Sequence, residues 1–182
     1  MERKSSQTLI ETIVATAIVI IALVGILSLA LSTLSLGGQT TEWVQAITLA
    51  REGVEVCQAV RSTNWFNEGQ TWSFGLDNGV YVFDYGDTDF DTAANGNIDS
   101  CLNCKLCFDP TTKIYSHADD SGNCTVGLTK TLFRRIVTIA TGDDLGTNCS
   151  ANCEKVATVL VKWTEKDRPH QVTLEKKFTD WR

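Results

Sequence analysis

Hydrophobic and polar positions fall into two regimes along the chain. From Thr12 to Thr41, 30 consecutive residues carry no charge, and most of those up to Leu36 are apolar. A helix rises about 1.5 Å per residue, so about 20 apolar residues cross the hydrocarbon core of a bilayer. The pattern therefore predicts a membrane-spanning helix over residues 7–36. Arg3 and Lys4 precede it, and cations on that flank favour a cytoplasmic amino end, with the rest of the chain outside. After Gly37-Gly38, which predicts a kink or a break, two apolar stripes recur at helical spacing. One holds Trp43, Ile47, Ala50, Val54 and Cys57; the other holds Ala46, Leu49, Gly53, Val56 and Val60. They predict an amphipathic helix over 37–62. The stripes form either one wide core-facing surface or two faces, with the second directed at another partner.

From Ser62 onward the period shortens. Thr71–Leu76 and Val80–Tyr85, separated by Asp77-Asn78-Gly79, read as a hairpin. Leu132–Thr141, Lys155–Thr164 and Gln171–Phe178 read as further strands, with Asp167-Arg168-Pro169-His170 as the turn between the last two. In Lys155–Thr164, Ala157, Val159, Val161 and Trp163 alternate with Thr158, Leu160 and Lys162. Such alternation predicts an antiparallel sheet with one face against a helix. The fold class is thus α+β: a long N-terminal helix, half membrane-spanning and half amphipathic, packed on a C-terminal antiparallel β-sheet. Residues 63–182 form the β-rich extracytoplasmic domain, with 86–131 read as one long loop.

A single acid, Glu11, interrupts the start of the apolar run. A carboxylate in lipid is rare unless it is paired, and within helical reach downstream there is no Lys, Arg or His. Its partner is then Lys4 or Arg3, interfacial water, or a group on another molecule. The stretch Ser6-Gln7-Thr8-Leu9-Ile10-Glu11 resembles the cleavage and methylation site of type IV prepilins. That family is cut after a short basic leader, methylated on the new terminal amine, and carries a glutamate at the fifth mature position. The resemblance implies a leader over 1–6, cleavage between Ser6 and Gln7, and methylation of Gln7. It also implies that Glu11 neutralises the terminal amine of a neighbouring subunit inside a helical bundle. The family usually has glycine before the cut and an apolar residue after it, where this chain has Ser6 and Gln7. Ala50-Arg51-Glu52-Gly53 and the ending Phe178-Thr179-Asp180-Trp181-Arg182 also resemble segments of small bacterial prepilins. A secretory signal peptide has an apolar region of about 7–15 residues, and this run is about twice that.

Composition then narrows the function. A net charge of −6 without a Lys/Arg cluster longer than a pair argues against a nucleic-acid surface. Seven cysteines, six of them in the domain placed outside the cytoplasm and Cys57 in the helix before it, predict disulfides, and the odd count leaves at least one unpaired within a monomer. The disulfide candidates are Cys101, Cys104, Cys107, Cys124, Cys149 and Cys153, the loop cysteines bridging to each other and to Cys149 or Cys153. Cys57 is the expected free or intermolecular thiol. Cys101-x-x-Cys104-x-x-Cys107 with Cys124 also has the spacing of a zinc or iron–sulfur site. Asp87, Asp89 and Asp91 invite calcium, but the helix-loop-helix calcium pattern fails, with Thr92 at its sixth position and Ile98 at its twelfth. A solvated acidic loop is the favoured reading, and no cofactor is expected. Asn123-Cys124-Thr125 and Asn148-Cys149-Ser150 fit the glycosylation sequon. Catalysis has no motif to support it: His117 and His170 read as solvated loop residues without a nucleophile nearby, so an enzyme is not expected.

The resemblance implies a structural subunit of a type IV pilus or related pseudopilus. Its partners are other pilin subunits, in a homo- or hetero-oligomeric filament, together with the prepilin peptidase and the membrane. The precursor is expected in the inner membrane, and the mature chain in an extracellular filament or at the cell surface. The alternative is a bitopic anchored protein that binds a metal or ligand through the cysteine-rich loop 86–131.

Overall fold

In the computed structural model, residues 3–87, 90–93, 96–142 and 154–180 are described, without the side chains of 3–8, 35–39, 92 and 142. The chain is α+β. One helix, α1 (Arg3–Phe66), is followed by seven strands: β1 (Gly79–Val82), β2 (Asp91–Thr92), β3 (Lys105–Phe108), β4 (Tyr115–His117), β5 (Thr129–Gly142), β6 (Glu154–Glu165) and β7 (Arg168–Phe178). Two compact units divide it, Met1–Trp43 and Val44–Arg182.

The first unit is helix. Leu9–Leu34, 26 residues with a mean hydropathy of 2.9, is long and apolar enough to cross a membrane, as an anchor or signal segment would be. Its threonines do not spoil it. The hydroxyls of Thr12, Thr16 and Thr33 donate to the carbonyls of Leu9, Thr12 and Leu29, each at 2.9 Å. No side-chain polar group of these residues is then left to seek water. Helical backbone continues through Gly37-Gly38 without a break.

In the second unit the helix meets the sheet with one broad face. Ala46, Leu49, Ala50, Gly53, Val56 and Cys57 are buried, while Trp43, in the first unit, is exposed. The two stripes read from the sequence thus merge into a single core-facing surface. Opposite them, β5 presents Phe133, Val137 and Ile139, and β6 presents Ala157, Val159, Val161 and Trp163, all buried in the same core.

All strand pairs are antiparallel. β5 is the spine of the sheet. Arg134 pairs with Lys162 of β6 on one side and Lys105 of β3 on the other, while Val137 pairs with Val159 of β6 and with Tyr81 of β1. One edge of β5 therefore carries β6, and the other carries β3 and then β1 in succession. β6 and β7 pair along 11 positions, from Lys155–Phe178 to Glu165–Arg168. On the sheet face away from α1, a second apolar cluster joins Val82, Ala93, Ile98, Cys101, Cys104 and Ile136. The segment that carries Ile98 and Cys101 is thus a lid over the outer face.

Three sequence expectations need correction. Thr71–Leu76 is not a strand, and no hairpin joins it to 80–85. It folds in successive turns, with Phe74 N donating to Thr71 O and Leu76 N to Ser73 O, each at 3.0 Å. The buried Asn64 amide donates to Trp72 O at 3.1 Å and to Phe74 O at 2.7 Å, taking carbonyls that a ladder would need. Second, 86–131 is not one loop, since it contains β2, β3 and β4. Third, the β6–β7 turn is Lys166-Asp167, with φ of 46° and 63°, and Arg168, Pro169 and His170 already belong to β7. Pro169 is tolerated because β7 pairs only with β6 and its free edge needs no N–H.

Candidate functional site

The residues singled out by sequence fall into separate places. Ser6 and Gln7 lie in the first turns of α1. Glu11 is exposed in the same helix, flanked by exposed apolar side chains such as Ile10 and Ile13, which are 65% and 57% accessible. Bare apolar rows of this length in water are unfavourable at about 25 cal/mol per Å². A segment of this length and composition suits a membrane anchor or a signal sequence. The chemistry on offer is one carboxylate beside an uncharged run.

The cysteine-rich segment is stapled internally. Cys101 bonds to Cys104 and Cys107 to Cys124, with Cα separations of 5.4 and 5.7 Å. Those pairings consume all four loop cysteines, so none is left for Cys149 or Cys153, which lie outside the described residues. Sulfurs in disulfides are not thiolate ligands, which removes the zinc or iron–sulfur reading of this cluster. The Arg134 guanidinium holds the stapled segment in place. Its Nη1 donates to Ile98 O at 3.0 Å and Cys101 O at 2.8 Å. Cys57 is free and fully buried on the core face of α1. Burial pushes its thiol up to about 12, so it is inert as a nucleophile while the core is closed.

The proposed calcium aspartates are used otherwise. Asp87 accepts from the Asp84 N–H at 2.7 Å within a turn. Asp91 pairs opposite Val82 in β2, and Asp89 lies outside the described residues. Among the described residues no group of three His, Cys, Asp or Glu side chains is placed to hold a metal ion. Of the two sequons, Asn123 is exposed beside the Cys107–Cys124 bridge, and Asn148 lies outside the described residues.

The most concentrated chemistry is a polar network that sequence reasoning missed. Arg135 of β5 is completely buried. Its Nη1 donates to Glu52 Oε1 at 3.0 Å and Leu49 O at 3.2 Å, and its Nη2 donates to Phe83 O at 2.9 Å. Beside it His117 of β4, expected as a solvated loop residue, has a side chain only 7% exposed. Its Nδ1 lies 2.7 Å from Asp84 Oδ1, which also accepts the His117 backbone N–H at 2.8 Å, and its Nε2 lies 3.4 Å from Arg135 O. Burial drives the His117 pKa down; the Asp84 hydrogen bond opposes this, and the Arg135 charge adds to the lowering. Burial alone would raise Asp84, but the His117 hydrogen bonds and then the Arg135 charge hold it below its ordinary value. The network ties α1, the segment after β1, β4 and β5 together. Its hydrogen bonds fix register among these four elements. The sequence signal was Arg134-Arg135 inside an apolar strand, where only one arginine faces the loop lid and the other must enter the core.

His170, also expected in a loop, is in β7 and stacks on Trp163, with ring centroids 5.4 Å apart. Compared with known proteins, the chain matches no family model, no curated protein and no solved structure.

Proposed function

We propose that this chain is a type IV pilin-like structural subunit that enters a filament or pseudopilus through its N-terminal helix. The observation that carries the reading is Glu11 at the start of Leu9–Leu34, a 26-residue apolar helical segment none of whose residues is buried within the monomer. Lipid solvates such a segment while the subunit waits; packed helices of other subunits solvate it after assembly. In either setting Glu11 needs a positive partner, and desolvated charges attract strongly. The partner is the terminal amine of Gln7 on a neighbouring copy, freed by cleavage after Ser6. The stapled, sheet-based second unit serves as the exposed part of such a subunit, with no catalytic role.

Intact-mass measurement of the protein from its native membrane tests this. The expected mature chain lacks residues 1–6 and carries one added methyl group on Gln7; a chain that keeps its first six residues overturns the reading. Glu11→Ala is expected to abolish incorporation into filaments while leaving the second unit folded.

A further inference from the structure

We infer that Asn123 is a modification site: its side-chain amide takes an N-linked glycan, transferred outside the cytoplasm from a lipid-linked oligosaccharide. This goes beyond the filament reading and needs from it only that the second unit is exported. The disulfides Cys101–Cys104 and Cys107–Cys124 point to the same oxidising side of the membrane.

Asn123-Cys124-Thr125 has the acceptor pattern by residue order alone. Three-residue patterns recur by chance, and it is the fold that singles this one out. An exposed asparagine in a turn ordinarily earns its place by bonding nearby backbone. Here Asp119 does that work. Its Oδ1 accepts from the N–H groups of Ser121 at 3.0 Å and Asn123 at 2.8 Å, and its own N–H donates to Asn123 O at 3.0 Å. Gly122, with φ of 77°, lets the chain reverse between them. The Asn123 amide is left over, exposed and without a hydrogen bond among the described residues. The other exposed asparagines described are engaged: Asn67 with Gln70, Asn78 with Lys155 and Thr141, and Asn97 with the Asp99 N–H.

The second half of the pattern is presented in the same way. Thr125 is exposed, its carbonyl accepts from Leu128 N–H at 3.0 Å, and its hydroxyl makes no bond among the described residues. Between the two, Cys124 is half-buried and tied to the buried Cys107. A transferase that reads an amide and a hydroxyl two residues apart finds both on the outside. There is room for a bulky product, since Val126 is fully exposed and a Cβ on Gly127 would meet nothing within 4 Å.

The chemistry is a group transfer without redox change. The Asn123 amide nitrogen bonds to the anomeric carbon of the donor sugar. The bond from that carbon to the lipid phosphate oxygen breaks, the phosphate leaves with the electron pair, and the amide gives one proton to a carboxylate of the transferase.

The test is mass spectrometry of the reduced, digested full chain taken from its native membrane. The peptide containing residue 123 is expected to carry an oligosaccharide, with fragmentation placing it on Asn123. Asn123→Gln and Thr125→Val are each expected to lower that glycopeptide at least ten-fold, while Thr125→Ser retains it. Thermal unfolding checks that each variant stays folded. A bare Asn123 in the native protein, or sugar found only at Asn148 or on a hydroxyl, overturns the inference. The same digest reports the amino end, which separates the two readings. A chain beginning at Gln7 with a bare Asn123 leaves the filament reading standing alone, and a glycosylated chain that keeps its first six residues does the reverse.

Discussion

Gly53 and Val159 meet so closely that a Cβ on Gly53 would lie 2.9 Å from Val159 Cγ1 and 3.2 Å from Cγ2. This is where α1 presses onto the centre of the sheet. Two effects compete in Gly53→Ala. Alanine gains up to about 1 kcal/mol of helix propensity, while overpacking a closed core costs about 1–3 kcal/mol. Because the obstructing atoms belong to a short, buried, branched side chain, the cost wins. The expected net loss is about 1 kcal/mol, read as a melting point lower by about 2–4 °C. Gly53→Ala with Val159→Ala should lose less than the sum of the single changes, since each removes part of the other's conflict.

Removal of Arg135 should be far more severe. Arg135→Leu leaves Glu52, the Leu49 carbonyl and the Phe83 carbonyl without their donor. Breaking a buried pair from one side costs about 3–5 kcal/mol, measured as the shift in a urea unfolding midpoint. Arg135→Lys should recover little, because an ammonium does not reproduce two nitrogens aimed at separate carbonyls. Recovery to near wild-type stability with lysine would show that charge alone matters here.

The His117–Asp84 pair sets an acid limit on the second unit. The folded pKa of His117 is lowered, so the unfolded chain takes up its proton first as pH drops. The stability is fully present above the unfolded histidine value of about 6.5 and declines as pH falls below it. Asp84 is also lowered, and its contribution is present above about 3.9 and lost as pH falls through its folded value. The melting point should therefore fall in two stages on acidification. His117→Asn, which keeps a donor toward Asp84 but does not titrate, should flatten the slope between pH 7 and 5 and leave the lower stage in place.

The disulfides should contribute unequally. Cys107–Cys124 closes a loop with a sequence separation of 17 and Cys101–Cys104 one of 3. Loop-closure entropy then assigns about 3 kcal/mol to the first and about 2 to the second. Cys107→Ser/Cys124→Ser should lower the urea midpoint more than Cys101→Ser/Cys104→Ser does. Peptide mapping after maleimide treatment should find Cys57 unlabelled in the native protein and labelled in denaturant.

Asp167 occupies a left-handed conformation with φ of 63°, which costs a side-chain-bearing residue about 1 kcal/mol that glycine avoids. Asp167→Gly is expected to raise the melting point by about 2–4 °C.

The parts of the fold that were legible are those where one period governs a long stretch. The apolar run of α1 and the alternation in β6 are read directly from residue order, because the first is apolar on every side and the second buries one uninterrupted face. Thr71–Leu76 misled because its β-prone composition serves two buried anchors, Trp72 and Leu76, rather than a ladder. β3 and β4 were hidden because they are short, and in β3 the pattern is broken by Cys107, which bonds across space to Cys124. The Arg135 network is non-local: Glu52, Asp84 and His117 are distant in sequence and are joined only once β4 and β5 have aligned. Glu11 was legible for the opposite reason, since a lone acid is conspicuous against 30 uncharged residues.

The 14-residue β5, occupied along both of its edges, has a kinetic corollary. Its central amides, around Arg134 to Ile139, point alternately to β6 and to the β3–β1 side, so each meets solvent deuterium only after the one neighbour that accepts it has separated. Exchange at alternate amides therefore reads the opening of the two sides of β5 separately.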